Sequence, residues 1–128
     1  MHAPFADVAL PIIDPDDIAA VAAAALLDER HAGRTYTLTG PEPTTPRERA
    51  AAIAAAIGEP VRFVEQTPES ARAQMLAFMP EPVADGTLAI LGRPLPAERS
   101  VSPDVEAVLG RKPSSFADWA ARNAAAFA

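Results

Sequence analysis

Three long stretches of the chain repeat apolar residues at helical spacing, each opened by a polar residue, a proline and further polar residues. Ile18, Val21, Ala22, Ala25 and Leu26 follow Asp14-Pro15-Asp16-Asp17; Ala50, Ile53, Ala54 and Ile57 follow Thr45-Pro46-Arg47-Glu48; Ala71, Met75, Phe78 and Met79 follow Thr67-Pro68-Glu69-Ser70. Each spacing predicts a helix with one buried stripe. The opening phrase explains why the helix starts there. Its first side chain accepts a hydrogen bond from a free N–H of the opening turn, and proline at the first helical position gives up an N–H that had no partner. Ser102-Pro103-Asp104 repeats the phrase before a short helix over 103–109, and Ser115 opens a last helix carrying Phe116, Trp119, Ala120, Asn123 and Phe127. Thr45 with Glu48, and Ser115 with Asp118, have the spacing of a reciprocal cap. Gly58 and Gly110 stand where helices end.

Strand patterns lie between these helices. Residues 34–39, Arg-Thr-Tyr-Thr-Leu-Thr, alternate and are rich in β-branched and aromatic types; 61–65 form a second candidate and 8–13 a third. Strands separated by helices pair in parallel, with helices covering the faces. The expected class is α/β, with two or three short parallel strands and about five or six helices. Residues 81–101 carry clustered prolines together with Gly86 and Gly92, and read as a loop with one short helix around 83–91. No internal repeat or linker interrupts the chain, so residues 1–128 are expected to form a single domain.

Composition narrows the function classes. The 128 residues include 14 prolines and no cysteine, with a net charge of −6. Thirty alanines supply nearly half of the 49% hydrophobic fraction, so large apolar side chains are few. The missing cysteines exclude a disulfide framework and a thiol nucleophile, and His2 and His31 are too far apart for a metal-ligand pair. Acidic residues outnumber basic ones, 17 to 11, which argues against a nucleic-acid surface. No window reaches the ~20 apolar residues of a membrane span. A soluble, cytoplasmic protein without nucleic-acid or membrane partners is expected.

Three longer phrases point to a family. Leu10-Pro11-Ile12-Ile13-Asp14-Pro15-Asp16-Asp17-Ile18-Ala19-Ala20-Val21 resembles the segment opening the substrate-binding half of NmrA-like, atypical short-chain dehydrogenase/reductase proteins. Gly33-Arg34-Thr35-Tyr36-Thr37-Leu38-Thr39-Gly40-Pro41-Glu42 is similar to the strand that follows in that family. The tail, from Val105 through Gly110-Arg111-Lys112-Pro113 to Phe116-Ala117-Asp118-Trp119-Ala120, resembles its closing helices. The resemblance covers nearly the whole chain and implies the C-terminal half of a truncated Rossmann-like fold, lining a small-molecule pocket. The dinucleotide-binding half of the family needs a glycine-rich strand–turn–helix. None of the six glycines stands two residues from another as G-x-G requires, and the only tyrosine and lysine, Tyr36 and Lys112, are not four apart. No cofactor is expected, and no cofactor-binding or catalytic residue carries over.

Candidate site residues therefore come from side-chain chemistry. Asp14, Asp16 and Asp17 read first as a cap and as charges favouring the helix dipole; within the family-like phrase, Asp17 also faces the cleft as an acid/base candidate. His31 reads as an exposed residue at a helix end, and His2 as part of a mobile terminus. Met75, Phe78 and Met79 with Trp119 are either ordinary core or, as the resemblance implies, an apolar substrate-binding wall. Arg72, Glu65 or Arg93 is then the polar group orienting a ligand, and Arg93, between Gly92 and Pro94, is the preferred contact. Asp17, Glu65 and Arg93 are the candidate catalytic groups, and no metal site is expected.

A half-fold raises the question of partners. Parallel strands at 36–39 and 61–65 without a further sheet present open edges. A homodimer, or pairing with a separate Rossmann-type subunit, closes them. The resulting expectation is a stand-alone small-molecule-binding domain lacking an NAD(P) site and acting as a cofactor-independent isomerase, cyclase or hydrolase on an apolar metabolite. The alternative is a C-terminal piece or partner subunit of an NAD(P)-dependent oxidoreductase, not catalytic alone.

Overall fold

The computed structural model describes residues 1–127. Its elements in chain order are β1 (His2–Pro4), α1 (Pro15–Leu27), α2 (Pro46–Ile57), β2 (Val64–Gln66), α3 (Pro68–Met75), α4 (Glu81–Gly92), α5 (Pro96–Arg99), α6 (Asp104–Leu109) and α7 (Phe116–Arg122), with short 3₁₀ turns at Glu29–His31 and Ala124–Ala126. The proline phrases act as predicted at α1, α2 and α3. The Asp14 carboxylate accepts from the Asp16 N–H, Thr67 Oγ1 accepts from the Ser70 N–H, and Thr45 and Glu48 cap each other reciprocally. Ser115 and Asp118 form the same box at α7. At α6 the start lies one residue later: Pro103 is the cap, and the Ser102 hydroxyl accepts from the Asp104 N–H. Gly58 and Gly110 close α2 and α6 in the left-handed conformation.

β1 pairs in parallel with β2, His2 opposite Val64 and Pro4 opposite Gln66. His2 is thus held in a strand, and not in a mobile terminus, because the Met1 ammonium donates to the Arg62 carbonyl and the Val64 N–H to the Met1 carbonyl. Residues 34–39 run without a ladder. Side-chain bonds tie them to the start of α6 instead: the Thr37 N–H donates to Asp104 Oδ2 at 2.7 Å, and the Thr39 hydroxyl oxygen accepts from the Ser102 N–H at 2.9 Å. Residues 8–13 contribute only an antiparallel bridge, Leu10 with Thr44.

The expected loop at 81–101 is largely helical. Pro82 and Pro96 sit in the first turns of α4 and α5, where a missing N–H costs nothing. α5 is the helix that the sequence pattern does not foresee. α3 stops at Met75, so Phe78 and Met79 lie in the turns that lead to α4.

The core is built from small side chains. Ala6, Ala50, Ala71, Ala84 and Ala120 are buried with Leu10, Val21, Ile53 and Val105, while Leu26 and Leu27 are 88% exposed and Phe78 is 74% exposed. Leaving a side chain of that size in water forgoes roughly 1.5–3 kcal/mol. The packing pairs are α1 with α6, α2 with α7, and α3 with α4. No helix among the described residues is long and apolar enough to cross a membrane.

Candidate functional site

The segment entering α1 and the opening turn of α7 face each other across a cleft. Ile12, Ile13, Asp14, Pro15, Ser115, Phe116 and Trp119 line it, enclosing about 190 Å³. The entry segment is fixed from behind by the Leu10–Thr44 bridge and by the Gly40 N–H, which donates to the Pro11 carbonyl at 3.0 Å. Only glycine fits there, because a Cβ on Gly40 would lie 2.1 Å from the Ile12 carbonyl oxygen. On the opposite wall Trp119 packs on Phe116 at 5.2 Å and edge-on to Phe127 at 5.9 Å between ring centroids. The polar element is Asp14, 5% exposed, which pairs with Arg122 while capping α1. That hydrogen bond raises the Arg122 pKa above the ordinary arginine value. An apolar cleft with one neutralised charge pair suits an apolar ligand. Its volume falls below the ~300–1,000 Å³ of complete small-molecule sites, so it has the size of a partial one.

The expected site residues do not converge. Of the proposed wall, Trp119 alone lines this cleft; Phe78 is exposed in the turn after α3, and Met75 and Met79 are half-buried there. They separate because α3 ends before the aromatic position is reached. Asp17 is fully buried: its Oδ2 accepts from the Ser114 N–H at 2.7 Å, and its Oδ1 lies 2.8 Å from Arg111 Nη1 without hydrogen-bond alignment. It ties α1 to the segment between α6 and α7 and does not line the cleft. His31 is half-buried, with Nδ1 2.6 Å from the Tyr36 hydroxyl.

Glu65 and the C-terminal end of α4 meet the residues that follow β1 instead. Glu65 Oε1 accepts from the Ala6 N–H at 3.0 Å, and Arg93 is the exposed residue that ends α4. Between them Phe5 takes a positive φ of 54°, with its ring against Gly92; a Cβ at Gly92 would meet Phe5 Cζ at 2.6 Å. Such a conformation in an aromatic residue is strained and persists only where its surroundings hold it. The sequence reading missed Ile12, Ile13 and Phe116 as cleft residues. Their signal was the pair of capped helix openings beside them.

The described residues do not suit a dinucleotide. The helices that follow the two strands open on Asp14 and on Thr67-Pro68-Glu69, so acidic groups and caps occupy the positions a pyrophosphate needs. No cluster of three or more metal-ligating side chains occurs among the described residues.

No protein-family model matches the chain. Over its whole length it is 40% identical to a (4-alkanoyl-5-oxo-2,5-dihydrofuran-3-yl)methyl phosphate reductase of Streptomyces griseus, covering 46% of that protein. It is 41% identical, over 90% of its length, to an NAD(P)H azoreductase of Xenophilus azovorans, covering 41% of that protein. The fold aligns over 95% of the chain with triphenylmethane reductase of Citrobacter sp., a structure determined with NADP(H), at a TM-score of 0.68, 25% identity and 43% coverage of that chain. The chain matches the C-terminal part of NmrA-like, atypical short-chain reductases. An Escherichia coli NADPH-dependent quinone oxidoreductase shares the fold at a TM-score of 0.73 and 20% identity, with 94% of this chain and 45% of that one aligned. The chain thus spans less than half the length of the curated NmrA-like relatives it matches. Of the two readings left open by the sequence, these reductases favour a part of an NAD(P)-dependent oxidoreductase over a cofactor-independent enzyme.

Proposed function

We propose that the chain is the substrate-side part of an NAD(P)H-dependent reductase, forms one domain, and works with a nucleotide-binding part, attached or separate, that delivers the hydride. The observation that carries this reading is 40% identity along the entire chain to a reductase of which it covers 46%. The cleft between Ile12 and Trp119 supplies one wall of the substrate pocket, and its small volume fits a site completed by the other part.

Fragment complementation tests the reading. The chain is mixed with the nucleotide-binding part of the Streptomyces griseus relative, and NADPH consumption is followed with quinone and azo acceptors. Turnover that requires both parts is expected. NADPH oxidation or tight NADPH binding by the chain alone would overturn the reading.

A further inference from the structure

Arg49 differs from every other arginine in the chain. Among the described residues Arg30, Arg47, Arg72, Arg111 and Arg122 each pair with a carboxylate, while Arg34, Arg62, Arg93 and Arg99 are exposed to water. Arg49 is half-buried and has no carboxylate at ion-pair distance among those residues. Its Nη1 donates to the Thr44 carbonyl at 2.8 Å and lies 3.4 Å from the Thr44 hydroxyl, leaving Nε and Nη2 without a protein acceptor. Burial pushes its pKa below the ordinary arginine value, with Glu48 acting in the opposite direction. A guanidinium partly withdrawn from water, with N–H groups still open toward a cleft, is a fit for an anion.

The space for one is present. Arg49 lines a cleft of about 300 Å³ with Thr44, Glu48, Ala52 and Phe116, at the lower end of the ~300–1,000 Å³ range for small-molecule sites. Phe116 also borders the apolar cleft of Ile12, Ile13 and Trp119, so the two clefts share this residue. Two carboxylates, Glu42 and Glu48, line the same cleft. Glu48 is engaged at the helix cap, its Oε2 accepting from the Thr45 N–H at 2.8 Å. Glu42 is exposed, where salt screens it.

We propose that Arg49 binds the anionic oxygen group, a carboxylate or a phosphate monoester, of a ligand whose apolar body crosses Phe116 into the cleft of Ile12 and Trp119. The planar guanidinium fork matches either group. This gives the substrate side of the reductase a charged handle. Its place in catalysis rests on the reductase reading, but binding by this chain does not.

The test titrates the full chain with phenyl phosphate and benzoate, and with phenol as the neutral counterpart, following Trp119 fluorescence and the NMR signal of the Arg49 Nε–H. Saturable binding of at least one anion is expected, with phenol at least tenfold weaker and the Arg49 signal moving while that of Arg34 stays. Arg49→Met should weaken anion binding at least tenfold, and Arg49→Lys should weaken it less. The proposal fails if neither anion binds, if phenol binds equally well, or if a folded Arg49→Met variant binds as before. Should that variant not fold, the Arg49 signal in the unaltered chain decides: a shift supports the site, and its absence overturns it. Anion binding without reductase complementation would remove the reductase reading and leave this site standing.

Discussion

The corner where α1 meets α6 and α7 and the arm made by α3 and α4 both use arginine–carboxylate pairs, in opposite environments. In the corner the carboxylates are buried: the Asp17 side chain is 0% exposed against Arg111, and that of Asp14 is 2% exposed against Arg122. In the arm Arg72 reaches Glu81 and Asp85, whose side chains are 69% and 51% exposed. A buried carboxylate that loses its arginine keeps its desolvation cost, whereas an exposed one is rehydrated. The corner is therefore internally committed, and it carries the cleft of Asp14 and Trp119. The arm is loosely tied and bears Phe78, Val83 and Ile90 in water, as does a surface that another part of a protein covers.

Substitutions can break this contrast, beginning with the strongest. Gly40→Ala drives a methyl against the Ile12 backbone and should destabilise by about 3 kcal/mol, read as a lower denaturant midpoint with altered Trp119 fluorescence. Arg111→Met strands the Asp17 carboxylate in the corner and should cost ~3 kcal/mol; Asp17→Asn, which removes the charge itself, should cost less. An equal cost for the two variants would contradict the account of the corner. Gly92→Ala crowds the strained Phe5 ring and should cost ~1–3 kcal/mol, visible as a shift of the Phe5 ring resonances.

The arm should respond least. Arg72→Ala should move the thermal midpoint less than any of these changes, and less still in high salt. The Arg72 hydrogen bond holds the Asp85 carboxyl below its ordinary value of 3.8. A depressed folded-state pKa contributes stability above the unfolded value, lost as pH falls through the folded one. NMR titration should place Asp85 below 3.8 in the unaltered chain and return it toward 3.8 in Arg72→Ala.

The helices of this fold were legible because their starts are written locally. Asp14, Thr45, Thr67 and Ser115 act within three residues of themselves, and a sequence pattern reads that range well. Strands depend on distant partners. Residues 34–39 have strand composition, yet the Asp104 carboxylate meets the Thr37 N–H and the Ser102 N–H meets the Thr39 hydroxyl, and no local pattern signals that. β1 was overlooked because Pro4 and its three-residue length hide it. Of the candidate clefts, Trp119 was legible in the sequence and Arg49 was not, since half-burial without a carboxylate is a property of the folded chain. The supposed wall of Met75, Phe78 and Met79 failed at a helix end, where α3 stops short.

We propose that this chain is one part of a two-part reductase. Sedimentation of the chain with and without the nucleotide-binding part of the Streptomyces griseus relative tests it most directly. A one-to-one complex that forms with Phe78 and Leu27 protected from solvent is predicted. A chain that sediments unchanged in that mixture, with both side chains still in water, would contradict it.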